Sequence, residues 1–169
     1  MCERIEKLVA SEFEKLTGIK GTESSVMHYS VYPQKREDFK QLLRAVLPDL
    51  RIRSSQGLVT VADFANYVEK EEEKKKTFFA KGLQIIKEIT GDETLTLEDD
   101  LYAELRPTGE GNEYLSAQTR YFMKANKVYY ALAQGLKGRH SPYNPPVSLL
   151  EKSRTLNGII DLYYRRGRF

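Results

Sequence analysis

The stretch TVADFANYV, Thr60–Val68, decides how this chain is read. Thr60 is suited to cap a helix: its hydroxyl can accept a backbone N–H that the first turn leaves without a partner, and Asp63 stands at the third helical position. Val61, Phe64, Ala65 and Val68 then recur at helical spacing, which places them on one face. The chain continues through EKEEEKKKTFFAKGLQIIKEIT, residues 69–90, without a proline. Glu71 with Lys75 and Glu72 with Lys76 make favourable pairs four residues apart, so the charged run reads as a solvated helix joining two halves. Its weak point is Gly82, which costs about 1 kcal/mol in a helix interior. Either one long helix runs from Thr60 towards Ile89, or two helices meet near Lys76.

Upstream, Ile5, Leu8, Val9, Phe13 and Leu16 form an amphipathic stripe that Gly18 stops. An irregular segment follows, with Pro33 suited to a first helical turn. Phe39, Leu42, Leu43, Val46 and Leu47 make the next stripe, ending near Pro48. Downstream, Phe79, Leu83, Ile86 and Ile89 lead to Gly91 and an acidic loop. A helix is expected from Tyr114 to Leu136, with Phe122, Ala125, Tyr129, Leu132 and Leu136 on one side. A loop rich in Gly and Pro separates it from a last helix carrying Leu149, Leu156, Ile159, Ile160 and Tyr163. Strand signals are poor throughout; TLTL is too short to count.

The two halves share an order of events. EFEKLTG and QIIKEITG each end an amphipathic helix in Thr-Gly. Each is followed by a long loop, a second amphipathic helix, another loop, and a helix opened by Thr and a hydrophobic residue: TVADFANYV in one half, TLNGIIDLY (Thr155–Tyr163) in the other. The order reads as an internal repeat.

This arrangement resembles the acyl and peptidyl carrier proteins, whose last helix commonly opens Thr-Val-x-Asp-hydrophobic-hydrophobic-x-Tyr-hydrophobic. TVADFANYV fits that pattern by position and TLNGIIDLY fits it loosely; ITGDETLTLEDDLYAEL is similar to the end of the carrier's first helix and its acidic loop. The resemblance implies an all-α fold of two small four-helix-bundle-like, carrier-protein-like units, residues 1–76 and 77–169, joined by a charged helix. Carriers attach phosphopantetheine to the serine of an Asp-Ser-Leu motif opening their second helix, where the helix N-terminus favours the phosphodiester. The matching region of the first half, YPQKREDF, has no serine, and Ser30 lies a few residues too early. In the second half the matching region is FMKANKVYY, with Lys124 about where serine should stand. The resemblance therefore implies pseudo-carriers that hold no prosthetic arm, with no cofactor, and a helical shape that docks onto partners.

Composition limits the alternatives. The 169 residues are 40% hydrophobic and 30% charged, which suits a globular chain. Cys2 is the only cysteine, so neither an internal disulfide nor a thiolate zinc site is available, and a reducing compartment, the cytoplasm, is the expected location. The N-terminus lacks a long apolar run, so neither a secretory signal nor a membrane span is expected. The net charge of +3 hides an asymmetry: residues 77–105 carry two Lys/Arg against seven Asp/Glu, residues 106–169 eleven against four. Either the two faces complement each other in the fold, or the basic third meets an acidic partner.

No catalytic constellation is legible. His28 and His140 sit in separate polar loops, Cys2 pairs with neither by any local motif, and Glu98, Asp99 and Asp100 lack the spaced ligands and glycine of a calcium loop. TGEGN, residues 108–112, has Gly-x-Gly with no preceding strand and reads as a turn. No metal and no enzymatic activity are expected. The expected role is a non-catalytic protein–protein interaction or scaffold module, its partner protein acidic. The residues expected to meet that partner are Lys124, Lys127, Arg139, Arg165, Arg166 and Arg168. The alternative is a basic helical protein binding nucleic acid through its C-terminal third, where aromatic and cationic side chains interleave.

Overall fold

The computed structural model describes residues 3–21, 33–101, 112–136, 146 and 152–166; of the helical residues 33–34, 112–122, 124 and 166 it describes the backbone alone. Among the described residues the fold is all-α, with five helices and no strand: α1 (Glu3–Thr17), α2 (Pro33–Val46), α3 (Val61–Thr90), α4 (Asn112–Gly135) and α5 (Leu156–Arg166). Contacts divide the chain into two units, Met1–Lys75 and Lys76–Phe169. Helix α3 is uninterrupted across that division, so the choice left open by the sequence resolves to one helix.

The first unit closes its core on the stripes that periodicity picks out. Val9 and Phe13 of α1, Phe39 and Leu43 of α2, and Val61, Phe64, Ala65 and Val68 of α3 form one buried cluster, with Ile52 contributed by the loop before α3. Phe39 centres it: its ring meets Phe64 at 4.7 Å and 74°, and Phe13 at 6.4 Å and 89°. Both are edge-to-face arrangements, in which the positive ring edge meets a negative face. The second unit buries Phe79 and Ile86 of α3, Leu101 from the segment after it, Ala125, Val128, Tyr129 and Leu132 of α4, and Leu156, Ile159, Ile160, Tyr163 and Tyr164 of α5. Tyr163 donates its hydroxyl to the Tyr129 carbonyl at 3.1 Å, so its ring is buried without stranding its polar end.

Helix ends recur in matching form. The Gly18 N–H donates to the Glu14 carbonyl at 2.8 Å, and the Gly91 N–H to that of Lys87, also at 2.8 Å. Thr17 Oγ1 donates to the Phe13 carbonyl and Thr90 Oγ1 to the Ile86 carbonyl, both at 2.8 Å. The glycines have φ of 71° and 75°, the left-handed conformation that frees the chain from the helix and that Cβ disfavours.

The two Thr-opened helices correspond in their caps and in the buried positions of their opening turns. The Asp63 N–H donates to Thr60 Oγ1 at 3.1 Å, and the Gly158 N–H to Thr155 Oγ1 at 3.1 Å. Four positions counted from each cap are buried in both: Val61 and Leu156, Phe64 and Ile159, Ala65 and Ile160, Val68 and Tyr163. One difference has a steric cause. Asp63 accepts back from the N–H groups of Thr60 (2.7 Å) and Val59 (3.0 Å), completing a capping box. At Gly158 a Cβ would stand 2.6 Å from the Ser153 carbonyl oxygen, so no carboxylate can be carried there. The chain enters α5 through Arg154, at a φ of 44°, while the Leu101 N–H donates to the Arg154 carbonyl and the Leu156 N–H to that of Asp99.

Three expectations need correction. Glu71 pairs with Lys74 and Glu72 with Arg4 (2.8 Å), not with Lys75 and Lys76. Glu71 is only 8% exposed, so the charged run is not solvated all round. Ile89 is 45% exposed and Val46 is also on the surface, because the buried rows pass through Ile86 and Leu43 and end within the following turn.

Candidate interaction surface

Helix α4 carries two unlike faces. Ala125, Val128, Tyr129, Leu132 and Ala133 turn one into the core. Helical spacing then puts Met123, Asn126, Lys127 and Tyr130 on the other, where all four are exposed. Met123 keeps 60% of its surface in water and Tyr130 67%. Met123, Lys127 and Tyr130 stand four and three residues apart, so they neighbour one another along a line of about 10 Å. From Tyr114 to Gly135 the helix carries Arg120, Lys124 and Lys127 and no carboxylate. Lys127 has no ion-pair partner among the described residues.

Of the six residues expected to meet a partner, Lys127 and Arg165 have described side chains. Lys127 is on the exposed face of α4. Lys124 belongs to the same helix, its side chain outside the description. Arg165 lies on α5, where its Nε is 2.5 Å from Asp161 Oδ2, an ion pair within its own helix. Arg166 ends that helix with its side chain undescribed, and Arg139 and Arg168 lie outside the described residues. Met123 and Tyr130 were not among the expected residues, although the rotation that buries Ala125, Tyr129 and Leu132 carries them outward.

The residues matched above with the carrier serine motif lie as follows. Helix α4 begins at Asn112, so Lys124 stands more than three turns inside it, away from the N-terminal partial charge that favours a phosphodiester. The serine nearest the start of α4 is Ser116, flanked by Leu115 and Ala117 rather than by Asp and Leu. Helix α2 opens on Pro33, Gln34, Lys35 and Arg36, with no serine and no acid in its first turn. Ser30 lies outside the described residues.

Elsewhere four carboxylates are engaged by local structure. Asp99 Oδ2 accepts the Thr96 N–H (2.6 Å) and hydroxyl (2.9 Å), and Asp100 bridges to Thr155, which explains the carboxylate run as part of a loop. The Thr94 hydroxyl, then its N–H, hold the Asp92 carboxyl below its usual range. The Thr60 N–H, against opposing burial and with help from the Val59 N–H, does the same for Asp63. Lys40 lowers Glu37 through a direct hydrogen bond. Each shift favours the charged form of a carboxylate already engaged by its neighbours, the opposite of a proton donor held in reserve. No group of three or more His, Cys, Asp or Glu able to hold a metal occurs among the described residues; His28, His140 and Cys2 lie outside them. No described helix is long and apolar enough to cross a membrane. Comparison with protein-family models, with curated proteins and with solved structures found no match.

Proposed function

We propose that this chain is a non-catalytic interaction module: two carrier-like units that have kept a helical docking shape and hold no phosphopantetheine. The observation that carries the reading is the recurrence of helix ends. Thr-Gly stops with matching hydrogen bonds and left-handed glycines close the first helical segment of each unit, and Thr caps with matching buried positions open the last. The chemistry a carrier needs is missing from the positions that would hold it, since no Asp-Ser-Leu occurs anywhere in the chain. Shape and surface charge are then what the units have to offer a partner.

The test is direct. The full chain is incubated with coenzyme A and a broad-specificity phosphopantetheinyl transferase, beside an authentic carrier as positive control, and its intact mass is measured. An unchanged mass is expected. Addition of a phosphopantetheine arm to any serine, Ser116 and Ser30 included, overturns the reading.

A further inference from the structure

We infer that the outer face of α4, built on Met123, Lys127 and Tyr130, docks an acidic amphipathic segment of a partner protein. The inference rests on the interaction-module reading and supplies its surface and the chemistry of its partner. Two large apolar side chains standing in water one helical turn either side of a lysine form an anchor pair around a charge. Methionine and tyrosine suit such a place: Met adapts its unbranched chain to the partner's surface, and Tyr brings area at little entropic cost with a hydroxyl for the rim.

Charge selects the occupant. Lys127 is unpaired among the described residues, and the helix carries no carboxylate beyond Glu113. A basic or neutral segment would leave that ammonium desolvated without compensation, whereas a carboxylate facing Lys127 with apolar residues over Met123 and Tyr130 satisfies all three. Single-stranded nucleic acid could use Lys127 and stack a base on Tyr130, but it leaves Met123 unsatisfied. Arg165 of α5 already faces a carboxylate, that of Asp161.

The experiment uses the full chain labelled with 13C at its methionine methyls. The sequence has three methionines, and Met123→Leu identifies the resonance of interest. Three probes are titrated to about 1 mM, the weak end of specific association. They are a helical peptide with Leu and Phe on one face and Glu on the other, the same peptide with Lys for Glu, and a single-stranded oligonucleotide. The acidic peptide is expected to shift the Met123 methyl. Tyr130→Ser should weaken it about tenfold, and Lys127→Glu should transfer the preference to the Lys peptide. Circular dichroism confirms that these exposed substitutions leave the helices intact. The inference is overturned if the acidic peptide leaves Met123 unmoved, if both peptides bind alike, or if the oligonucleotide alone binds. These outcomes are distinct from failure of the module reading: an arm added by the transferase refutes that reading whatever the peptide does, and an unmoved Met123 refutes the surface while the mass stays unchanged.

Discussion

At the scale of single residues, the Thr60–Asp63 box is the feature whose chemistry is most completely specified. Asp63 is ionised in the fold because the Thr60 N–H, with a further contribution from Val59, points at its carboxylate; partial burial opposes this and loses. Its folded pKa therefore lies below its unfolded one, and the folded chain binds fewer protons across that interval. The resulting stability is fully present above the unfolded carboxylate pKa and is lost as pH falls through the folded value. Asp63→Asn keeps an acceptor oxygen but removes the charge. It is expected to lower the urea midpoint at neutral pH, with the gap from the parent chain closing in acid; a gap that stays constant down to the acid limb would refute the assignment. Thr60→Ala, which removes the other half of the box, should cost about 1 kcal/mol at neutral pH. The box was legible from sequence because both partners lie within one turn. The glycine at 158 was not, because its reason, the Ser153 carbonyl at 2.6 Å, is set by the path of the chain before α5.

At the scale of helices, Gly82 shows why propensity alone misreads α3. In isolation it is a defect in an otherwise continuous helix. Packed, it is the place where α5 approaches: a Cβ at Gly82 would meet Cδ1, Cγ1 and Cγ2 of the fully buried Ile160, each at 3.0 Å. Both branches of the isoleucine are involved, so no single rotation clears the space. The first unit distributes volume the other way. Counting back from the Thr-Gly stops pairs Val9 with Gly82, and counting on from the Thr caps pairs Ala65 with Ile160, so a large residue of α1 accompanies a small one of α3 in that core. Gly82→Ala should gain about 1 kcal/mol of helix propensity and lose about 1–3 kcal/mol to overpacking, a net destabilisation. In an Ile160→Ala background, where the obstructing branches are gone, the same change should stabilise. A double-mutant cycle by urea denaturation should return a coupling of about 1–2 kcal/mol. Simple additivity would show that the close approach does not govern this position.

At the scale of the whole molecule, the all-helical class, the stop of α1 at Gly18 and the start of α3 at Thr60 were legible in periodicity and in Thr and Gly signals, whereas the continuity of α3 past Lys76 and the break at Arg154 before α5 were not. The proposed docking surface was legible only in part. Counting cations found Lys127 but gave equal weight to Arg165, whose charge is met by Asp161, and it passed over Met123 and Tyr130, because an apolar residue in a helix is read first as core. Only the rotation of α4 against its own core separates Tyr129, which is buried, from Tyr130, which is not. The same rotation makes the surface depend on the second core and not on the first, since the two buried clusters share no residue. Phe64→Leu in the first and Ile159→Val in the second are mild truncations, the latter costing about 0.5–1.5 kcal/mol. Their losses in the double variant should add within about 0.5 kcal/mol, and Phe64→Leu should leave the affinity of α4 for the acidic peptide unchanged. A coupling well above that limit, or a docking affinity that falls with Phe64, would mean that α3 carries strain from one core into the other, and the two units would then have to be understood as one cooperative body.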